Sequence, residues 1–228
     1  MTDIVLIALA LAVCWFAWRA WQESARLTQS RRCFLDGLDG ALSDVSKMPL
    51  PSGYSKVTGQ YRGLPAVVVP IVDTLNVRKL PVLWLMITVP SPVPVRATVD
   101  LMMRASGMEV FSNYAKLEHE IQPPSGFPEW SGIRTDDPSR LFAADIFARY
   151  LGRFHDGSGK ELLVTPKGLR MVVMADQADR GGYLIFRDAR FGSTADVTDT
   201  VRAVLDELHA LKADLSAVAA RATQGVPT

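Results

Sequence analysis

A glycine-rich segment, Gly157-Ser158-Gly159-Lys160, has the composition of a phosphate-binding loop, in which backbone N–H groups cradle phosphate oxygens. The complete motif also needs a glycine five residues before its second glycine, and a serine or threonine after its lysine to hold magnesium. This chain has Phe154 and Glu161 at those places, and a strand is predicted to follow, whereas a phosphate loop opens a helix. The segment is therefore predicted to be a turn and not a nucleotide site.

A second cluster, Glu118-His119-Glu120, contains three possible metal ligands. Adjacent residues on a strand or helix point in different directions, so these three cannot converge on one ion without ligands from elsewhere. The other histidines, His155 and His209, fit solvated or helix-capping positions. Because no spacing typical of a metal site occurs, the sequence predicts neither a metal nor a cofactor.

Motifs for nucleophilic and acid–base chemistry are also missing from the sequence. There is no Gly-x-Ser-x-Gly segment, and the two cysteines, Cys14 and Cys33, both precede the predicted globular domain. The carboxylate pairs Asp136-Asp137 and Asp206-Glu207 fit helix caps or solvated helix faces. No catalytic residue is predicted, and an enzyme that combines carboxylates distant in sequence stays as an alternative.

Arginines are concentrated on or near the last predicted strands, at Arg170, Arg180, Arg187 and Arg190. If they share one face of the sheet, they form a basic patch suited to phosphate headgroups or to an acidic partner. The same alternation is typical of an ordinary solvated sheet face. Arg170, Arg187 and Arg190 are the polar candidates for an interaction surface.

The N-terminus carries an uninterrupted apolar run from Ile4 to Trp18. Extended to Trp21, it spans roughly 27 Å as a helix, close to the thickness of a bilayer core. The spacing predicts one short transmembrane helix that acts as a signal anchor and contacts membrane lipids, with tryptophans at its interfacial end. The residues that carry this prediction are Ile4, Leu6, Leu9, Leu11, Trp15, Phe16, Trp18 and Trp21.

Three other interpretations of this run fit the sequence less well. A cleaved signal peptide needs basic residues before the run, and none is present. A lipoprotein signal ending at Cys14 needs a small residue where Val13 stands. A buried core helix disagrees with the terminal position and with the arginines on one side.

The charges that flank the run predict its orientation. Asp3 precedes the run, whereas Arg19, Arg26, Arg31 and Arg32 follow it, against one acid, Glu23. The positive-inside rule therefore predicts a single-pass protein of the cell (inner) membrane with its C-terminal domain in the cytoplasm.

The 228-residue chain carries 25 basic and 24 acidic side chains. This balance gives no electrostatic reason to bind nucleic acid, which is therefore not an expected partner. About 180 residues follow the membrane run and its flank, the size of one ordinary domain.

The rest of the chain alternates strand-type segments with turns. The segments predicted as strands are 54–61, 66–75, 82–87, 95–103, 108–112, 161–165, 169–175 and 183–191. Pro70 indicates an edge strand or a bulge, and 82–87 is apolar enough to be covered on both faces. A hairpin is compatible with the turn at 105–107, and residues 116–134 look irregular.

Two helices complete the predicted domain, 137–154 after an Asp137-Pro138 start, and 195–218. The predicted fold class is α+β: a single transmembrane helix, then a mainly antiparallel sheet of about seven or eight strands covered by two helices. The predicted divisions are an anchor (1–22), a juxtamembrane helix (23–47), a globular domain (48–218) and a flexible tail (219–228). Residues from about Ser52 to Leu215 are predicted to fold without the anchor.

The last predicted helix has an apolar stripe that alternates spacings of four and three residues. Its members are Val197, Val201, Val204, Leu208, Leu211, Leu215 and Val218. One interpretation is a stripe that faces the core of the domain. The other is a heptad seam for self-association, in which Leu208, Leu211, Leu215 and Val218 contact a partner.

The anchor and the missing catalytic motifs favour a non-catalytic interaction or accessory module that presents a cytosolic domain to a membrane complex. Its expected partner is a protein of that complex or a second copy of the chain. One alternative is a lipid- or amphiphile-binding domain with an apolar pocket lined by Trp84, Met86, Phe147 and Phe154. The other is the enzyme without a recognisable motif.

Overall fold

A computed structural model describes residues 2–74, 80–107, 109, 111–142, 144–178, 191 and 197–224. The chain begins with helix α1, Thr2–Arg32. Within the described residues, this is the one helix long and apolar enough to cross a membrane. Its large apolar side chains are exposed, from 73% at Ile4 to 52% at Trp15, so the described part of the domain does not cover them. A candidate membrane-spanning helix therefore stands at the N-terminus.

The described part of the domain is built on one nine-stranded antiparallel sheet with the strand order β1-β2-β3-β4-β9-β8-β5-β7-β6. The strands are β1 Ser43–Pro49, β2 Ser55–Tyr61, β3 Leu64–Asp73, β4 Val82–Val89, β5 Val99–Met103, β6 His119–Ile121, β7 Ser131–Thr135, β8 Gly159–Thr165 and β9 Gly168–Gln177. The predicted α+β class with an N-terminal apolar helix is confirmed, and the strand count is slightly higher than predicted.

Local sequence explains the best-defined hairpin. Arg62 and Gly63 join β2 to β3 with positive φ angles of 48° and 79°. A two-residue turn with two positive φ angles matches the twist of the paired strands, and glycine adopts it without strain. Pro70 lies inside β3, which is not an edge strand; the pairing with β2 ends at Val57–Val68, before it reaches the proline.

Several predicted strands differ from the structure. The segment after Gly107 does not pair back on β5, which lies between β7 and β8. The supposedly irregular region 116–134 contains β6 and most of β7. β4 is not covered on both faces, because its residues alternate between half-buried and buried. The predicted strand 183–191 lies outside the described residues, except for Phe191.

The predicted helix 137–154 is also wrong as a single element. It is divided into two 3-10 helices, Pro138–Arg140 and Ala144–Tyr150, and the short helix α2, Gly152–His155. The predicted start is present, since Asp137 accepts the Ser139 N–H at 2.9 Å, but Leu141 is extended and ends the first turn. Tertiary packing decides the outcome, because the broken segment still buries Phe147 and Phe154.

The junction between anchor and domain differs from the predicted juxtamembrane helix over 23–47. Helix α1 ends at Arg32, a 3-10 helix spans Asp36–Gly40, and 43–47 belong to β1. Gly37 lies in this 3-10 helix, and a Cβ there would overlap the Thr198 hydroxyl. Leu35, Leu38 and Leu42 belong to the hydrophobic core, so the globular fold begins before residue 48.

The last helix, α3, spans Val197–Gln224 and packs against β4, β9 and the 144–150 helix. Its stripe is core: Leu208 and Leu211 are fully buried and Leu215 is 2% exposed. Val218 is partly exposed and lines a groove of about 340 Å³ beside Ile146. The core-facing interpretation therefore accounts for the stripe, and Leu208, Leu211 and Leu215 are not available to a partner.

Burial predicts different costs at the two ends of this stripe. Leu215→Ala should lower the free energy of unfolding by about 2–3 kcal/mol, because it leaves a cavity under the helix. Val218→Ala should change it by less than about 0.5 kcal/mol. Urea unfolding of residues 34–228 measures both. Equal, small losses would mean that the helix projects beyond the domain after Leu211.

Candidate functional site

The two faces of the sheet have different environments. On the core face, Leu85, Ile87 and Met171 are fully buried, and they belong to the same hydrophobic cluster as the α3 stripe. The alternate residues point to the opposite side, which we call the open face. Its β3–β4–β9 part and its β5–β7–β8 part have different chemistry.

The β3–β4–β9 part of the open face is apolar. Cross-strand pairs join Val69 to Met86 and Ile71 to Trp84, and Trp84 pairs in turn with Met174. Met174 is 36% exposed, and the other four are half-buried. Together with Val67, which is also half-buried, these residues form what we call the apolar strip. A connected apolar surface of this kind is typical of an interaction site.

A buried charge cluster crosses the boundary between the two parts of the open face: Asp100 lies on β5, Glu161 on β8 and Arg170 on β9. Arg170 donates two hydrogen bonds to Glu161, from Nε at 2.8 Å and from Nη2 at 3.0 Å. Glu161 is fully buried and Asp100 is 1% exposed. The Ser112 hydroxyl donates to Asp100 Oδ2 at 3.3 Å, whereas Asp100 Oδ1 has no partner among the described residues.

Burial and the neighbouring Glu161 carboxylate raise the pKa of Asp100 to about 8, and Arg170 offsets only part of this. A carboxyl group with such a pKa holds a proton at neutral pH. The cluster then has one negative and one positive charge, which is the arrangement that a buried site tolerates best.

Tyr114 covers the neighbouring part of the open face. Its hydroxyl occupies the place where a Cβ on Gly132 would lie, and its ring contacts the Arg134 guanidinium at 5.3 Å. Tyr114 is 8% exposed. With Asp100 and Glu161 both inaccessible, the cluster can shape and stabilise the sheet, but a substrate cannot reach its carboxylates.

The raised pKa of Asp100 predicts a pH dependence of stability. Folding raises the pKa of Asp100 from 3.8 to about 8, so between these values the native state binds one more proton than the unfolded state. The free energy of unfolding should therefore fall as pH rises, by about 1.4 kcal/mol per pH unit from this group alone. Asp100→Asn should remove that slope between pH 5 and 7 in urea titrations. An unchanged slope would mean that Asp100 is ionised in the native state.

A cavity of about 690 Å³ opens at one end of the sheet. That volume is within the usual range for small-molecule sites. Its apolar wall includes Trp84, Met174 and Phe154, and its rim includes Arg104 and Trp130. Of the four residues predicted to line a pocket, Trp84 and Phe154 do so, whereas Phe147 is core and Met86 lies on the apolar strip.

Two strained residues form part of the cavity rim. Arg104 and Trp130 have positive φ angles of 46° and 70°, which are rare for large side chains. They are directly linked, since the Arg104 N–H donates to the Trp130 carbonyl at 2.9 Å where the β5–β7 pairing ends. Trp130 is 68% exposed. Such strain is most often kept where function requires a side-chain position.

An ion pair holds the rim in shape. Lys160 Nζ donates to Glu109 Oε1 at 3.0 Å and to the Met103 carbonyl at 2.8 Å. Glu109 also accepts the N–H groups of Ser106 and Gly107. These bonds, together with Lys160, overcome the desolvation of the carboxyl and lower the pKa of Glu109 to about 2. Lys160, which belongs to the glycine-rich segment, therefore has a structural role. It joins the end of β5 to Glu109 in the loop that follows.

The polar residues predicted for an interaction surface are only partly described. Arg170 lies on the open face but belongs to the charge cluster, and its side chain is 16% exposed. Arg180, Arg187 and Arg190 lie outside the described residues, so the proposed basic patch is untested. Among the described residues, no group of three His, Cys, Asp or Glu side chains is placed to hold a metal.

The arginines that predict topology lie along the C-terminal half of α1. The Arg19 guanidinium is 5.7 Å from the Trp15 ring, and the Arg31 guanidinium is 5.9 Å from the Tyr54 ring of the domain. Arg26 and Arg32 lie on the same helical segment.

Asp100 and the Arg104–Trp130 pair were not among the site residues predicted from the sequence. An aspartate inside the apolar segment Val99–Met103 was a usable signal, since an isolated acid in a buried strand needs a partner. The left-handed conformations of Arg104 and Trp130 have no signature in the sequence.

The sequence matches no protein-family model and no curated protein. Among solved structures, the chain is similar to the crystal structure of the mycobacterial trehalose monomycolate transport factor A, with 15% sequence identity and a TM-score of 0.27. The match covers 60% of this chain and 64% of that chain, which is less than two thirds of its length. A similarity at this level carries no argument about function.

Proposed function

We propose that this chain is a single-pass, membrane-anchored interaction module without a catalytic role of its own, which binds a protein partner through the apolar strip. The observation that carries the proposal is the combination of an exposed apolar N-terminal helix with a domain whose open sheet face carries a partly exposed apolar strip. The partner is a protein of the same membrane, or a second copy of the chain.

The exposure of α1 supports the anchor over residues 1–22. Apolar side chains that are more than half exposed are unfavourable in water. A lipid bilayer removes them from water. Arg31 and Arg32 contact the domain, since the Ser55 hydroxyl donates to the Arg32 carbonyl at 3.4 Å. The positive flank supports a cytoplasmic domain.

Removal of residues 2–21 should release the protein from membranes. The full chain should stay in the pellet after alkaline extraction, whereas the shortened chain should appear in the soluble fraction, because its exposed apolar helix is gone. Reporter fusions at the C-terminus should be active in the cytoplasm. A mature N-terminus after residue 14, or reporter activity on the other side of the membrane, would contradict an uncleaved anchor with this orientation.

The apolar strip supports a protein partner. Its side chains come mainly from the adjacent strands β3 and β4, and β9 adds Met174, whereas Val172, the β9 partner of Met86, is fully buried. The buried charge cluster beside it is sealed, which favours binding over acid–base chemistry. The alternative enzyme has no accessible carboxylate pair in this cluster.

A comparison of two substitutions tests the strip. Val69→Asp places a charge within it, whereas the matched Ala210→Asp places a charge on the exposed side of α3. Affinity capture from solubilised membranes should recover one protein with the unmodified chain and with Ala210→Asp, but not with Val69→Asp. Equal recovery by both variants would show that the strip is not the binding surface. Recovery of differently tagged copies of the chain itself would identify a homodimer.

A further inference from the structure

The cavity lies at the end of the sheet where the anchor joins the domain. Helix α1 reaches the domain beside Tyr54 and Ser55, at the start of β2. Because neighbouring strands are antiparallel, the same end contains the end of β3, the start of β4, the end of β9, the start of β8 and the end of β5. The cavity is lined from all five of these strand ends, by Asp73, Val82, Gln177, Gly159 and Arg104. It therefore faces the region next to the anchor.

The wall and the rim of the cavity suit the two halves of an amphiphile. Trp84 and Met174 provide apolar contact for a hydrocarbon chain. At the rim, Trp130 is an exposed aromatic of the kind that lies at membrane interfaces. Arg104 adds a guanidinium without an ion-pair partner among the described residues, and guanidinium groups bind carboxylates and phosphates in two-bond geometry.

Of the described lysine and arginine side chains that line the cavity, Arg104 is the one without an ion-pair partner. Lys160 is engaged by Glu109 at 3.0 Å, and Asp156 accepts the Ser158 N–H at 2.8 Å. Three carboxylates of the same lining oppose an anionic headgroup: Glu129, which is exposed beside Trp130, together with Asp73 and Asp156. The sign of the bound headgroup therefore tells which side chain recognises it. An anionic headgroup indicates Arg104, and a cationic headgroup indicates Glu129.

We propose that this cavity binds one hydrocarbon chain of an anionic amphiphile from the adjacent membrane surface, with Arg104 on the headgroup and Trp130 at the interface. The inference goes beyond the proposed protein-binding role and uses different residues, apart from the shared apolar wall at Trp84 and Met174. Anionic lipids are enriched on the cytoplasmic surface of membranes, which is where the positive flank directs the domain.

Photolabelling of the full chain in phosphatidylcholine nanodiscs tests the proposal. The probe is a 12-carbon fatty acid with a diazirine near the chain end. It should label peptides that contain Trp84 or Met174, and unlabelled dodecanoic acid should compete. Decanoic acid should compete roughly tenfold less well, because two fewer methylenes are buried. Arg104→Gln should weaken labelling about tenfold through the loss of a charge-assisted bond.

Matched controls keep the test decisive. Arg96→Gln makes the same change at the opposite end of the sheet, before β5, and should leave labelling unchanged. A diazirine-bearing phosphatidylglycerol distinguishes the source: labelling by it identifies a membrane lipid, and labelling by the acid alone identifies a free anionic amphiphile. Equal competition by dodecylamine, labelling confined to α1, or unaltered labelling of Arg104→Gln would overturn the proposal. None of these results depends on capture of a protein partner by the strip.

Discussion

Arg170→Met should destabilise the fold by about 3–5 kcal/mol. Arg170 is the cation of the buried charge cluster, and it holds the fully buried Glu161 through two hydrogen bonds. Without it, Glu161 and Asp100 are two buried carboxyl groups with no opposite charge beside them. Removal of one partner from a buried ion pair costs this much because the remaining charge is left uncompensated. Urea unfolding of residues 34–228 at pH 7 measures the loss.

Two further variants separate charge from packing. Arg140→Met removes a surface pair with Asp137, in which the arginine side chain is 61% exposed, and it should cost less than about 1 kcal/mol. Glu161→Gln added to Arg170→Met should recover part of the loss, since no unpaired charge is then left at that position. Similar small losses for Arg170→Met and Arg140→Met would show that Arg170 does not neutralise the cluster.

A chain that begins at residue 48 should not fold, whereas a chain that begins at residue 34 should unfold cooperatively. The segment between them contributes β1 and three core leucines, of which Leu35 is 2% exposed, Leu38 is fully buried and Leu42 is 6% exposed. Burial of a leucine contributes about 1.5–3 kcal/mol, so three are comparable with the total stability of a typical domain. Circular dichroism during urea unfolding distinguishes the two chains.

The two chains test whether the globular domain begins before residue 48, which is the boundary predicted from the sequence. A control chain that begins at residue 34 with Leu38→Asp should behave like the chain that begins at residue 48, because a charge cannot be buried in that core position. Cooperative unfolding of the shorter chain with unchanged stability would mean that β1 and the 36–40 helix only rest on the domain.

The elements with strong local signals were predictable from the sequence. The apolar run at Ile4–Trp18, the strand at 82–87 and the last helix were all expected, and the structure contains them. These segments have a clear periodicity or composition, and no competing tertiary contact changes their type. The class of the fold followed from them.

Elements decided by tertiary contacts were not predictable. The apolar residues of 137–154 fit an α-helix, but packing beneath α3 favours two 3-10 turns and α2. β6 and most of β7 lie in a segment rich in proline and glycine, where strand pairing is not visible in the local pattern. The charge cluster also depends on long-range strand pairing, since the pairing of β5 with β8 brings Asp100 next to Glu161.

The most direct test of the interaction module is photocrosslinking within the native membrane. Benzoylphenylalanine placed at Met86, in the centre of the apolar strip, should give one protein adduct of defined mass. The same residue placed at Ala210, on the exposed side of α3, should give no such adduct, and Val69→Asp should abolish the adduct at position 86. Lipid adducts alone at position 86, or the same protein adduct at both positions, would contradict the account.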